Sequence, residues 1–173
     1  MNSLNQKSSS SHNKYHGFWS GIGRLLYFVT WPGIWLVVKC TPPRTRVVIV
    51  HDGQVLVLRD WLGTGQWGLP GGGLHRGEDS RIGAVRETRE ETGIELNPEK
   101  LHPLGEFRMQ SSGMTINYQA FYIELPKKPI VRVDGKEVVD YQWLNIDKLD
   151  KSNLSTSAKT IISTFYHKTD LLH

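Results

Sequence analysis

A single cysteine, Cys40, stands among 173 residues, so no intramolecular disulfide can form and an oxidising compartment has left no mark. Acidic residues are missing from the first 46 positions, which carry Lys7, Lys14, Arg24, Lys39, Arg44 and Arg46. The whole chain has a net charge of +4, so the +6 of that segment leaves residues 47–173 at −2. The basic balance therefore lies at the N-terminal end. The remainder shows no charge surplus of the kind a general nucleic-acid-binding surface requires, and nucleic acid is not an expected partner. The uncharged apolar run 25–38 falls short of the roughly 20 residues of a spanning helix, and Pro32 interrupts it. Internal repeats, zinc-ligand spacings and a P-loop are absent as well.

The length suits one domain with a sizeable core. Residues 1–16, with the run Ser8 to Ser11, have the composition of a disordered tail. Residues 17–44 form a second segment, aromatic and apolar as far as position 40. Three readings of it stay open: an extra element packed on the domain, a membrane-associating segment with Trp and basic residues at its edges, or a targeting presequence. The expected location is the cytoplasm, with or without membrane association through residues 17–40.

From position 45 to 173 the pattern is that of a folded domain. Residues 45–50 and 54–59 predict two strands joined at His51-Asp52-Gly53. Residues 67–69 end a short strand, 104–110 and 115–125 predict a second hairpin, and 138–144 a further strand. Residues 155–167 predict a closing helix with Ile161, Ile162 and Phe165 inward. Strands interleaved with two helices place the domain in the α/β class.

Chemistry concentrates between positions 70 and 94. Pro70-Gly71-Gly72-Gly73 is followed by a predicted helix over 80–92, with an acidic start at Glu78-Asp79-Ser80 and a stop at Gly93. Glu87, Glu90 and Glu91 (i, i+3, i+4) fall in one narrow sector of that helix, while Ile82 and Val85 are expected to face the core. Taken alone, the three glutamates fit two descriptions. One is a solvated acidic face paired with Arg86 and Arg89. The other is a site where a divalent cation relieves the repulsion among carboxylates, and hard oxygen donors favour Mg²⁺ or Mn²⁺.

Gly72, Glu78, Arg86, Glu87, Glu90, Glu91 and Gly93 stand in the pattern G-x5-E-x7-R-E-U-x-E-E-x-G-U, with U a bulky apolar residue. This resembles the signature of the Nudix hydrolases, with one departure at Thr88, where a large apolar side chain is usual. The resemblance covers about residues 45–168 and implies an α-β-α sandwich with a mixed β-sheet. It also implies a metal-dependent hydrolase that cleaves the diphosphate linkage of a nucleoside diphosphate derivative. Glu87, Glu90 and Glu91 would bind metal with the Gly71 carbonyl, and Arg86 would pair with Glu78. Glu90 and Glu91 are the side chains whose loss should hurt most.

In the family the base is a glutamate of the box or one in a loop before the last strand. Glu137 occupies such a loop, and Glu106 is a second candidate. Family patterns tied to coenzyme A, dinucleoside polyphosphates and ADP-ribose are missing at their expected places, which leaves a nucleoside triphosphate or nucleotide-sugar as the small-molecule partner. His75 and Arg76 could touch phosphate, and Trp61, Trp67, Phe107 and Tyr118 could stack on a base, though solvated loop and core packing are the competing roles. An RNA 5′-end pyrophosphohydrolase and a non-catalytic nucleotide sensor are the alternative functions. The chain would act as a monomer or homodimer.

Overall fold

Asp52 and Gly53 both adopt left-handed backbone, at φ 48° and 67°, which makes the two-residue turn that best matches strand twist. The turn joins β1 (Arg44–His51) to β2 (Gln54–Asp60), with Val50 opposite Val55 and His51 opposite Gln54. The computed structural model describes residues 42–60, 65–111, 114–133, 135, 137–145 and 153–170. Pro42–His173 form one compact unit. The readings offered for residues 1–16 and 17–40 lie outside the described residues. None of the described helices is long and apolar enough to cross a membrane.

Beyond its turn the hairpin opens. β1 pairs in parallel with β5 (Met114–Glu124), from Arg44 beside Tyr118 to Val50 beside Glu124, and β5 pairs antiparallel with β4 (His102–Ser111). β2 turns instead to β3 (Trp67–Gly68) and to β6 (Val138–Asn145), both antiparallel. The chain leaving β3 fills the opening against β1. Val47 N–H donates to Pro70 O at 2.9 Å, Thr45 N–H to Gly72 O at 2.8 Å, and Leu74 N–H to Pro43 O at 3.0 Å. The glycine loop is thus hydrogen-bonded as an added strand. The result is a mixed six-stranded sheet.

Alternation along β1 and β2 feeds two cores. Val47, Ile49, Leu56 and Leu58 pack with Phe121 and Ile123 on the face covered by α1 (Ser80–Thr92). Val48, Val50, Val55 and Val57 pack on the other face with Ile161, Ile162 and Phe165 of α2 (Thr156–Asp170), the three residues expected to point inward. The α-β-α sandwich is therefore present. A short 3-10 turn, Pro98–Lys100, capped by the Asn97 side chain, was not anticipated.

α1 meets the sheet through small residues: Gly83, Ala84, Thr88 and Thr92 are its buried positions. Val85 packs against the core as expected, but Ile82 is 51% exposed. The reason is angular, since Ile82 lies about 200° around the helix from Ala84. Small residues let the helix come close to the sheet and loop: a Cβ on Gly83 would run into Leu74 Cδ2 and meet Glu78 Oε2 at 3.0 Å. Thr88 accounts for the departure from the family pattern. It is wholly buried, and its hydroxyl has no hydrogen-bond partner.

Two substitutions test this packing by urea denaturation. Thr88→Val removes an unsatisfied hydroxyl at nearly constant shape and should raise stability by about 1 kcal/mol. Gly83→Ala should lower it by about 1–3 kcal/mol through overpacking against Leu74.

Candidate active site

The ends of α1 fix where its glutamates stand. Asp79 Oδ1 accepts from the Arg81 and Ile82 N–H groups at 2.9 and 3.2 Å, and Gly93 closes the helix at φ 69° with its N–H on Arg89 O. Two turns before that stop, Arg86 gathers the loop and helix. Its Nε donates to Glu78 Oε1 at 2.8 Å, and one terminal nitrogen donates to Glu78 Oε2 at 2.9 Å and to Gly73 O at 3.0 Å. The other donates to Glu87 Oε1 at 2.8 Å and Glu90 Oε2 at 3.2 Å. The expected Arg86–Glu78 pair is thus real and bidentate. The Arg86 guanidinium and the His75 N–H hold the Glu78 carboxyl down at about 2.

Two glycines bring the loop onto the glutamates. Gly71 N–H donates to Glu91 Oε2 at 2.8 Å. Gly71, at φ 126°, lies so close to β1 that a Cβ would collide with Thr45 O. At Gly72 the space of a Cβ is taken by the Glu87 carboxylate. Pro70 and Gly72 spend their carbonyls on β1, whereas the Gly71 carbonyl has no hydrogen-bond partner among the described residues.

Burial raises the Glu91 carboxyl to about 8; the charges of Glu87 and Asp60 push the same way, against the Gly71 N–H and Arg46. An enclosed carboxylate beside two further acids, a glycine carbonyl and hard oxygen donors fits a divalent cation. Glu87, Glu90 and Glu91 are nevertheless not converged: among the described residues no three acidic, His or Cys side chains stand close enough together to hold an ion. Arg86 lies between Glu87 and Glu90 instead. Glu90 makes the longest of these contacts and its side chain is 52% exposed, so it is the group that can turn with least disruption.

The remaining sequence candidates divide. Glu137 is exposed just ahead of β6, next to Val138, whose register partner is Asp60 at the end of β2. Glu106 lies on β4 and accepts from Gln119 Nε2 at 2.7 Å across the hairpin, an ordinary cross-strand pair. His75 anchors the loop through its backbone N–H, and both His75 and Arg76 are exposed. Phe107 packs into the α2-side core, while Trp67 does so with the Arg59 guanidinium 5.0 Å from its ring. Tyr118 is buried, with the Arg46 guanidinium 5.5 Å from its ring. Trp61 lies outside the described residues.

Three residues were passed over: Asp60, Arg44 and Arg46. Asp60 and Arg46 are near enough to Glu91 to act on its charge. The available signal was alternation, because Arg44 and Arg46 occupy one face of a strand whose next residues on that face, Val48 and Val50, are apolar.

The two glutamate shifts act on stability in opposite directions. Glu78, lowered from 4.5 to about 2, contributes stability that is present above 4.5 and lost as pH falls toward 2. Glu91, raised from 4.5 to about 8, contributes stability that is present below 4.5 and lost as pH rises through 8. Metal-free wild type should therefore match Glu91→Gln in thermal midpoint at about pH 5 and fall below it by about pH 9. A midpoint difference that does not change with pH would contradict the burial of Glu91.

A family model described as the NUDIX domain matches residues 41–165. A Bifidobacterium longum protein named nucleoside triphosphate pyrophosphatase/Nudix hydrolase fusion protein is 31% identical over 130 residues, 74% of this chain and 25% of its own length. The Danio rerio oxidized purine nucleoside triphosphate hydrolase is 30% identical over 119 residues, 64% of this chain and 70% of its own. The chain thus spans a quarter of the first relative and over two thirds of the second. In fold it is similar to the crystal structure of a MutT NUDIX hydrolase from Burkholderia pseudomallei, with TM-score 0.64 at 22% identity over 71% of this chain and 96% of that one. The acidic helix, its glycine loop and the family match over most of the length lead to one conclusion: the chain belongs to the Nudix hydrolase family.

Proposed function

We propose that this chain is a pyrophosphohydrolase dependent on Mg²⁺ or Mn²⁺ that cleaves the diphosphate linkage of a nucleoside triphosphate or nucleotide-sugar. The observation that carries this reading is the Glu91 carboxylate, enclosed beside Gly71 with its pKa raised to about 8 and two further acids on the same helix edge. A residue held in that state is poised for a cation or a proton. Similarity to the Danio rerio oxidized purine nucleoside triphosphate hydrolase supports nucleoside triphosphates as the first substrates to try.

Glu87, Glu90, Glu91 and the Gly71 carbonyl would hold the cation. When bound, the cation neutralises phosphate charge and acidifies water. The chain's own residues supply the rest. Glu91 is kept against the loop by the Gly71 N–H, so its position does not depend on the ion. Arg86 fixes Glu87 and, through Glu78 and the Gly73 carbonyl, the height of the loop over the helix. Glu90 turns from Arg86 toward the site. A carboxylate must then accept the proton of the attacking water. Glu91 and Glu90 are the nearest groups on the helix, and Glu137 is the candidate from the loop before β6.

The test is a panel of nucleoside triphosphates, nucleotide-sugars and 5′-triphosphate RNA, assayed with Mg²⁺ and with Mn²⁺ and with product masses identified. Glu91→Gln should keep the fold and lower kcat by about 100-fold or more. Glu137→Gln should lower kcat comparably if that loop supplies the base, and leave it near wild type if the helix does. Near wild-type turnover in Glu91→Gln, or no metal-dependent release from any substrate, would overturn the proposal.

A further inference from the structure

Among the described residues Arg46 has no carboxylate within ion-pair distance. It lies on the central strand of the sheet, and as a whole it keeps some contact with solvent, but its Nε is enclosed and has no partner. No hydrogen bond or ion pair ties its guanidinium to any described residue, and it lies 5.5 Å from the centre of the Tyr118 ring. Arg44, two positions earlier on the same face of β1, has the same defect: its Nε is enclosed and unpartnered. The two guanidiniums are close enough to repel one another. A lone enclosed charge is expensive, and two of one sign side by side are more so, unless an anion completes the arrangement.

Their place in the site says which anion. The Gly71 backbone lies against β1 so tightly that a Cβ there would come within 3.1 Å of the Arg46 Cα, and the Gly71 N–H holds Glu91. Arg46 feels the charges of Glu91 and Asp60, yet neither carboxylate comes within ion-pair distance. An acceptor that reaches the arginines from the glutamate side must therefore span the Gly71 backbone. A diphosphate offers two anionic ends, one for a cation held by the carboxylates and one for planar, forked donors suited to phosphate oxygens.

We propose that Arg44 and Arg46, with the Tyr118 ring as a platform beneath Arg46, bind the phosphoryl group of the substrate's diphosphate that the glutamates of α1 do not hold. The identity of the anion rests on the hydrolase reading, while the cationic receptor itself does not. Arg46 is thereby a substrate-binding residue.

Calorimetric titration of the full chain in EDTA, with inorganic pyrophosphate and with adenosine as separate probes, tests this directly. Wild type should bind pyrophosphate. Arg46→Gln should weaken that binding by about tenfold or more, the worth of a charge-assisted contact, with Arg46→Lys losing less and Arg44→Gln losing in the same direction. Adenosine should respond equally in all variants. The urea midpoint of Arg46→Gln should equal or exceed that of wild type, because the enclosed charge is unpaired. Pyrophosphate affinity unchanged in both Arg46 variants, no pyrophosphate binding by wild type, a matching loss for adenosine, or a lowered urea midpoint would each overturn the assignment. Arg46-dependent pyrophosphate binding in a chain that hydrolyses no nucleotide would sustain it while defeating the hydrolase reading.

Discussion

One guanidinium holds the acidic helix and the glycine loop in register. Arg86 donates to both oxygens of Glu78, to the Gly73 carbonyl, to Glu87 and to Glu90. The Arg86 and Glu78 side chains are largely withdrawn from water, so these contacts are stronger than a surface pair would be. Their consequence is geometric. With Glu78 and Gly73 tied to the middle of α1, the preceding residues run back along β1, and Gly71 arrives where its N–H meets Glu91. The small residues of the region serve the same end: Gly83 admits Leu74, Gly72 admits the Glu87 carboxylate, and Gly71 admits the Thr45 carbonyl.

Charge is arranged around that backbone with opposite signs. The α1 carboxylates crowd against the loop, and the burial of Glu91 resists its ionisation. On β1, the Nε atoms of Arg44 and Arg46 are enclosed without a hydrogen-bond partner, and no described carboxylate forms an ion pair with either side chain. Each side is electrostatically incomplete by itself, the carboxylates calling for a cation and the arginines for an anion. On the proposed reading a diphosphate with its divalent ion completes both together. The same incompleteness lowers the stability of the metal-free chain at alkaline pH, the usual trade at a preorganised site.

Much of this was legible in the sequence because it follows from local rules. Asp52-Gly53 specifies its turn by backbone preference, and Asp79 and Gly93 bound α1, while the Glu78–Arg86 pairing was implied by the family resemblance. What was not legible depends on contacts between distant segments. The hairpin pattern says nothing of β1 and β2 parting after two residue pairs, because that opening is filled by a loop some twenty positions away. Ile82 was expected inward on period alone, but the helix approaches the sheet through Gly83, Ala84 and Thr88, and this turns Ile82 to solvent. Arg44 and Arg46 were counted with the basic N-terminal residues, since a running sum of charge ignores which face of a strand a residue occupies. The reach of Arg86 to three carboxylates was likewise invisible, because the Glu87 and Glu90 contacts depend on the loop that positions Glu78.

The central claim, that the acidic edge of α1 with Gly71 binds a divalent cation, is most directly tested by titrating Mn²⁺ into the full chain and following the free ion by electron paramagnetic resonance. The account predicts a saturable site in wild type, weakened by about tenfold or more when Glu87 and Glu90 are both changed to Gln. Equal Mn²⁺ binding by wild type and that double variant, or no saturable binding at all, would contradict it.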